Sequence, residues 1–339
     1  MYVSNKGSIS SLVWAFTKNT KKKFRDHDKK FEFRPSEFEF LFFSRKHNME
    51  QLKGTGVALV TPFKADESID WNALEKLINY VIDGGVDYVV SLGTTGETPT
   101  LSADEKLDLI KFTFEKVSKR VPVVVGIGDY NTRDVVKRLE KCPLDEAAAI
   151  LSVSPYYSKP TQEGIIQHYK TIAAASPKPI ILYNVPGRTG RNMTAETTLR
   201  LAHEVENIIA MKEASGDMAQ CMQIIRDKPE GFLVLSGDDA LALAQLACGM
   251  DGVISVAANY FAKDFSAMVN AALGNNFPAA RALHYKMLKG FDLMFCENNP
   301  TGIKAFLSHA GIIENKFRLP VLPADDAVYQ QIGAYLKQY

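Results

Sequence analysis

The sequence predicts a (β/α)₈ TIM barrel, a closed ring of eight parallel strands with helices around it, followed by a small α-helical C-terminal region. Eight apolar runs rich in β-branched residues recur along residues 49–275, and segments with helical spacing separate them. Strands that alternate with helices pair in parallel through right-handed crossovers. Eight such repeats fit a closed barrel, and a doubly wound open sheet is the alternative.

The eight predicted strands are nearly continuous apolar runs, which is typical of a parallel sheet covered by helices. In chain order the runs are Val57–Val60, Tyr88–Leu92, Val121–Val125, Ala148–Val153, Ile180–Val185, Ile208–Met211, Phe232–Leu235 and Gly252–Val256. The hydrophobic fraction of 46% over 339 residues is that of a globular protein with a sizeable core.

The predicted helices carry apolar residues three and four positions apart on one face. The first is Asp70–Ile82, and the second, Ser102–Val117, opens with a capping box that Glu105 completes. Five more are expected around the barrel: Thr132–Lys141, Thr161–Ala175, Thr194–Glu204, Asp217–Arg226 and Asp239–Cys248. Four follow the eighth strand: Ala262–Leu273, Ala279–Phe295, Gly302–Ala310 and Asp325–Lys337.

Composition argues against several classes of function. Residues 1–48 hold 11 Lys/Arg against 5 Asp/Glu, so they carry +6, and the rest hold 29 against 34, or −5. A mildly acidic body gives no reason to expect nucleic acid as a partner. The four cysteines are far apart, which favours reduced thiols, and the six histidines lack metal-ligand spacing. The histidine spacing therefore predicts no metal site. No apolar run approaches the ~20 residues of a membrane helix, so we expect no membrane-spanning segment.

Residues 1–48 are a different kind of sequence, basic, rich in phenylalanine and without a sustained period. We predict a disordered N-terminal extension there, then a catalytic barrel over residues 49–275 and a helical region over residues 276–339. Five acidic residues argue against a transit peptide, and no apolar run indicates a secretory signal. A nucleic-acid arm is an alternative. Our hypothesis is that the working protein begins at Met49, which mass spectrometry of the native N-terminus checks.

The sixth apolar run, Ile208–Met211, leads directly into Lys212, and Ser215 and Gly216 form the turn after it. An ammonium group in an apolar interior is costly unless it is paired. Burial in general lowers the pKa of an amine and leaves part of it neutral, able to attack a carbonyl. A lysine that has just left the core and points into solvent gives the same pattern, so this segment alone leaves both interpretations open.

Functional groups in such barrels gather where the strands end and the following loops begin. The loop Gly93–Glu97 offers hydroxyls and N–H groups to an anion, although an ordinary turn has the same residues. Tyr156 and Tyr157 follow the fourth strand as proton donors or packing groups, and Arg188 follows the fifth as a carboxylate ligand or a surface residue. A lysine, hydroxyls and an arginine suit Schiff-base chemistry on a small carboxylated carbonyl compound.

Six motifs occur together in one order and spacing. They are Gly54-x-x-Val57-Ala58-x-Val60-Thr61-Pro62-Phe63, Gly93-Thr94-Thr95-Gly96-Glu97, Pro155-Tyr156-Tyr157-x-Lys159-Pro160, Tyr183-Asn184-Val185-Pro186-Gly187-Arg188-Thr189-Gly190, Lys212-Glu213-Ala214 and Ser236-Gly237-Asp238-Asp239. With this combination the chain closely resembles the dihydrodipicolinate synthase family, also called 4-hydroxy-tetrahydrodipicolinate synthases, from Lys53 to the C-terminus.

The resemblance implies a lyase that condenses pyruvate with aspartate 4-semialdehyde in lysine (diaminopimelate) biosynthesis. Lys212 would form an imine with pyruvate and then an enamine that attacks the aldehyde. Tyr183 would relay protons with Thr94 and Tyr157, and Tyr157 would reach in from a neighbouring subunit. The family is typically a cytoplasmic homotetramer, built as a dimer of dimers, and works without a cofactor.

The resemblance also implies a set of substrate-binding residues. Thr95, with Thr94, would seat the carboxylate of pyruvate, and Arg188 would bind the carboxylate of the semialdehyde. The backbones of Gly237 and Ile254 would line the pocket.

Other functions stay open at this point. N-acetylneuraminate lyases and 2-keto-3-deoxy sugar acid aldolases share the barrel and the lysine, but the sialic acid lyases usually lack the arginine at Arg188. A non-catalytic scaffold is the less favoured alternative, because the implied catalytic residues are intact. In the family, feedback inhibition by lysine involves the region near Tyr156. Lys106 would repel a lysine ammonium there, so we predict weak inhibition.

Overall fold

The computed structural model describes residues 50–339, which form the predicted closed barrel. Its strands are β1 (Gly54–Ala58), β2 (Tyr88–Ser91), β3 (Val123–Gly126), β4 (Ala147–Val153), β5 (Ile180–Asn184), β6 (Ile208–Glu213), β7 (Leu233–Ser236) and β8 (Gly252–Ser255). Each strand pairs in parallel with the next, and β8 closes the ring on β1. The barrel is thus confirmed over the doubly wound sheet. The prediction for residues 1–48 lies outside the described residues.

Helices alternate with the strands and then follow them, as predicted. They are α1 (Trp71–Asp83), α2 (Ala103–Val117), α3 (Thr132–Lys141), α4 (Gln162–Ala175), α5 (Pro186–Thr189), α6 (Ala195–Glu204), α7 (Met218–Asp227), α8 (Ala242–Ala247), α9 (Ala258–Leu273), α10 (Phe277–Phe295), α11 (Thr301–His309) and α12 (Asp326–Leu336). The sequence predicts a loop at α5, because its proline and glycine usually interrupt helices. Proline is tolerated there because it occupies the first turn, where its missing N–H has no helical partner.

The barrel interior is a packed apolar core rather than a channel. Tyr88 is fully buried, and a Cβ on Gly56 would lie 2.2 Å from its ring. Glycine at position 56 therefore makes room for the Tyr88 side chain inside the barrel. The open space of the interior is left at the carboxyl-terminal ends of the strands, where the cavities described below are found.

The C-terminal helices share aromatic packing with the last helix of the barrel. Phe261 and Phe265 of α9 contact Phe291 of α10, with ring centroids 6.3 and 6.0 Å apart, and Phe306 of α11 lies 5.8 Å from Phe261. The boundary predicted at residue 275 falls in the turn between α9 and α10, and the division into two regions stays a prediction. None of the helices within residues 50–339 is long and apolar enough to cross a bilayer.

A buried histidine couples the stability of the helical layer to pH. His168 of α4 lies against α3, with Nδ1 2.9 Å from Thr132 Oγ1, and its buried Nε2 has no hydrogen-bond partner among the described residues. Burial lowers the pKa of His168 from 6.5 to about 4. The unfolded chain takes up this proton at a higher pH than the folded protein does. The stability that His168 contributes is therefore fully present above pH 6.5 and is lost as pH falls towards 4.

We expect this histidine to change the free energy of unfolding by up to about 3 kcal/mol across that pH range. His168→Gln should weaken the pH dependence of urea unfolding, because glutamine does not take up the proton. His203 is exposed, so His203→Gln is the matched control and should leave the dependence unchanged. An unaltered pH dependence in His168→Gln would contradict the assignment.

Candidate active site

The carboxyl-terminal ends of the strands surround a cavity of about 410 Å³. Lys212 enters it from β6 and Tyr183 enters it from β5. The polar or flexible part of its wall also contains Thr94, Thr95, Arg188, Gly237, Asn298 and Asn299. Residues far apart in the sequence thus meet at one cavity because parallel strands end at the same edge of the barrel.

Lys212 is the amine in this cavity, and it is only 5% exposed. The parallel register of β5 and β6 pairs it with Tyr183, and its Nζ lies 4.4 Å from the centre of the tyrosine ring. Among the described residues, the Lys212 ammonium contacts this ring and forms no ion pair. A Cβ on Gly237 would lie 2.9 Å from Lys212 Cε, so the glycine leaves the space that the lysine side chain occupies.

Two threonine hydroxyls border the cavity on the loop after β2. Thr94 and Thr95 begin a 3₁₀ turn, Thr94–Gly96, and Glu97 follows it with φ +52°, in the left-handed region. Thr61 donates to the Gly96 carbonyl at 2.7 Å and so fixes the turn to the segment after β1. The hydroxyls and N–H groups of such a turn are suited to hold a carboxylate.

Arg188 supplies a cation at the mouth of the cavity. It lies on the short helix α5, and its Nη2 donates to the Asn299 carbonyl at 3.2 Å and contacts Asn298 Oδ1 at 3.5 Å. These partners are neutral oxygens. The guanidinium charge is therefore free to pair with the carboxylate of a bound ligand.

Asn299 is a cavity residue that the sequence does not predict. Its Nδ2 donates to Thr95 Oγ1 at 3.1 Å, whereas its Oδ1 is buried and has no partner in the described part of the chain. It lies before α11, outside the strand ends, and this position explains why a search of those ends misses it. The residues Asn298-Asn299-Pro300 predict a turn, and they give no indication that Asn299 enters the cavity.

A larger cavity of about 540 Å³ adjoins the first and shares Thr94, Tyr183 and Arg188 with it. It continues outward to Tyr156 and Lys106. Burial and the neighbouring Arg138 guanidinium both lower the pKa of Lys106, and Arg138 itself is paired with Asp129. The expectation of weak inhibition by lysine, which was based on Lys106, stays a prediction.

Comparison with known proteins gives the family of the chain. The model of the Dihydrodipicolinate synthetase family matches residues 51–339, which is nearly all of the described structure. The chain belongs to this family. The resemblance of the six sequence motifs is thereby confirmed.

This member of the dihydrodipicolinate synthetase family aligns with its relatives over almost their whole length. The 4-hydroxy-tetrahydrodipicolinate synthase of Parabacteroides distasonis is 51% identical, over 85% of this chain and 97% of that protein. The structure of chloride-inhibited dihydrodipicolinate synthase from Acinetobacter baumannii, complexed with pyruvate, has a TM-score of 0.82 and 39% identity over 84% of this chain and 98% of that one. A monomeric dihydrodipicolinate synthase variant has a TM-score of 0.83 and 37% identity over 86% and 97%.

Six of the eight implied site residues line the smaller cavity of this family member: Lys212, Tyr183, Thr94, Thr95, Arg188 and Gly237. Two lie elsewhere. Tyr157 is 90% exposed with φ +66° and lines neither cavity, and Ile254 is fully buried in the barrel interior. Within residues 50–339, no group of three or more histidine, cysteine or acidic side chains has the arrangement of a metal site.

Proposed function

We propose that this chain catalyses the 4-hydroxy-tetrahydrodipicolinate synthase reaction, the condensation of pyruvate with aspartate 4-semialdehyde in lysine biosynthesis. The observation that carries the proposal is Lys212, a buried amine that has no ion pair with any described residue and lies beside Tyr183 in a cavity that Arg188 also lines. The relative from Parabacteroides distasonis, 51% identical, has this name. The reaction makes the chain a lyase.

The proposed mechanism starts with attack of Lys212 Nζ on the ketone carbon of pyruvate. Loss of water gives an imine, and loss of a methyl proton gives an enamine, whose carbon attacks the aldehyde of the second substrate. The aldehyde oxygen takes a proton, and the amino group of the product then displaces Lys212 as the ring closes. Several of these steps transfer a proton, and Tyr183, whose ring centre lies 4.4 Å from Lys212 Nζ, is the phenol proposed to accept and return it.

The remaining groups divide between proton relay and substrate binding. Thr94 and Thr95 would hold the carboxylate of pyruvate through hydroxyl and backbone donors, and Thr94 would also connect Tyr183 to the relay. Gly237 leaves the space for the Lys212 side chain, whereas Ile254 is proposed to act through its backbone. No cofactor is needed by these steps, because the imine supplies the electron sink.

Arg188 is proposed to bind the carboxylate of aspartate 4-semialdehyde. A charge-assisted pair is worth about 1.5–3 kcal/mol, so Arg188→Leu should raise KM for the semialdehyde roughly ten- to a hundredfold. KM for pyruvate should change little, because the carboxylate of pyruvate lies at the threonines. Steady-state kinetics with each substrate varied in turn measures the two effects. Equal increases in both KM values would contradict this division of roles.

An activity assay with alternative acceptors tests the function itself. We expect turnover with pyruvate and aspartate 4-semialdehyde, and none with N-acetylneuraminate or 2-keto-3-deoxy sugar acids. Turnover of a sugar acid without turnover of the semialdehyde would instead assign the chain to the sugar acid aldolases. Absence of both activities, with no pyruvate adduct, would favour the non-catalytic scaffold.

We propose further that the protein is a cytoplasmic homotetramer in which Tyr157 completes a neighbouring active site. The exposure of Tyr157 and its left-handed backbone support this, since a large aromatic side chain held away from its own chain is suited to a contact with a second copy. A family variant is monomeric, so membership alone does not decide the assembly. Analytical ultracentrifugation measures it directly.

A further inference from the structure

The residue after the cavity lysine is a fully buried carboxylate. Glu213 is the last residue of β6, and because side chains alternate along a strand, it faces away from the cavity that Lys212 enters. Its carboxylate accepts hydrogen bonds from Asn184 Nδ2 at 3.1 and 3.2 Å, from the Ser215 backbone N–H at 2.6 Å and from Gln220 Nε2 at 2.9 Å. None of the basic side chains in the described part of the chain donates to this carboxylate.

The donors around Glu213 are fixed in orientation by other contacts. Asn184 Oδ1 accepts from the Met193 backbone N–H at 2.9 Å, which directs its NH₂ group to the carboxylate. Gln220 Oε1 accepts from Asn192 Nδ2 at 2.8 Å, and its Nε2 also donates to the Met193 carbonyl at 3.2 Å. Neither amide can therefore turn an oxygen towards residue 213. Only an acceptor with two free oxygens satisfies all three donors.

This cluster joins the elements that carry the candidate catalytic residues. In the sheet register Tyr183 pairs with Lys212, and Asn184 pairs with Glu213. The Glu213 carbonyl also accepts from the Gly237 backbone N–H at 2.7 Å, which connects β7. Through Asn184 and Gln220 the contacts extend to residues 192 and 193, the end of the loop that begins with α5 and Arg188.

We propose that Glu213 is a positioning residue, whose carboxylate holds the ends of β5 and β6 so that the Lys212 amine and the Tyr183 phenol stay aligned for imine formation. The proposal rests on the proposed function, because the alignment matters only if Lys212 attacks a carbonyl. A displacement of about 1 Å at such a site can lower a rate by as much as about a hundredfold.

The test is the rate at which borohydride traps pyruvate on Glu213→Gln. Glutamine has almost the same shape, but its NH₂ group would face the NH₂ groups of Asn184 or Gln220. We expect the maximal trapping rate to fall roughly tenfold or more. The pyruvate concentration that gives half of this rate should change less than about twofold, because the threonine loop that would bind the carboxylate is not part of the cluster.

Asp251→Asn is the matched control. The Asp251 carboxylate accepts from the Val234 backbone N–H at 2.9 Å and from Lys228 Nζ at 2.6 Å, so it also ties a strand of the barrel. It precedes β8 and therefore lies at the opposite end of the barrel from Lys212. Asp251→Asn should lower the melting temperature and leave the trapping rate unchanged. A role in stability alone would give the same result for both variants.

One further variant keeps the proposal testable if Glu213→Gln folds poorly. Gln220→Ala removes one donor to the carboxylate and should lower the trapping rate by roughly threefold.

The outcomes separate the proposal from the function on which it rests. If the parent protein traps no pyruvate, the proposed function fails and the role of Glu213 fails with it. If the parent traps pyruvate at Lys212 and Glu213→Gln and Gln220→Ala trap it at the parental rate, only the positioning role is overturned. The positioning role is likewise overturned if Asp251→Asn slows trapping as much as Glu213→Gln does.

Discussion

Replacement of Lys212 by alanine is expected to abolish both the pyruvate adduct that borohydride traps and the condensation reaction. The amine is the group that would form the imine, and no other lysine of residues 50–339 lines the 410 Å³ cavity. Removal of a covalent nucleophile leaves binding intact but removes the chemical route, so turnover should fall by at least about 10⁴-fold. Mass spectrometry of the reduced adduct and the semialdehyde assay measure the two effects.

Lys304 is an internal control for this experiment, because it is also a buried lysine. Its side chain is 0% exposed, and burial lowers its pKa to about 8. However, its Nζ donates to Glu97 at 2.5 Å and to the Lys316 carbonyl at 2.7 Å, and it lines neither cavity. A low pKa without access to substrate should not give a nucleophile. Peptide mapping should therefore place the adduct on Lys212, and an adduct that survives Lys212→Ala would refute the mechanism.

The order and type of the elements could be predicted because each has a local cause. The capping box of Ser102 and Glu105 is present in both directions, and α2 begins where it predicts. The limits of α8 were harder to predict, because two adjacent residues of the sequence, Asp238 and Asp239, are both suitable helix caps. Asp238 accepts from the Leu241 N–H, whereas Asp239 turns inward and accepts from Ser255 Oγ and two N–H groups after β8. The helix starts at Ala242 rather than at Asp239.

The candidate site was predictable as far as it consists of strand ends. Lys212 and Arg188 follow apolar runs and Tyr183 lies near the end of one, so the barrel topology brings them together at one cavity. Asn299 was not predictable in this way, because its contact with Thr95 spans 204 residues and depends on how α10 and α11 pack. No sequence pattern distinguishes Glu213 from a surface acid, and only the tertiary structure gives its carboxylate three donors.

Loss of the Lys304 side chain is expected to destabilise the fold strongly. Lys304 and Glu97 form an ion pair with side-chain exposures of 0% and 1%, and the ammonium lies 4.5 Å from the ring centres of Phe63 and Phe317. Lys304→Met keeps the apolar stem but leaves the Glu97 carboxylate buried without its cation. Breaking a buried pair from one side costs about 3–5 kcal/mol in free energy of unfolding. Urea unfolding at neutral pH measures this loss.

The double variant Glu97→Gln with Lys304→Met should be more stable than Lys304→Met alone, because a neutral amide costs less to bury than an unpaired carboxylate. The deficit of the single variant should also depend on pH. Burial raises the pKa of Glu97, while Lys304 opposes this shift, so without the lysine the acid is more readily protonated. The deficit should therefore shrink as pH falls towards 4.5, the ordinary pKa of the acid. The contrary result is a deficit of Lys304→Met that is the same at neutral pH and at pH 4.5 and is unchanged by Glu97→Gln. That result would mean that lost packing, and not an uncompensated charge, destabilises the protein.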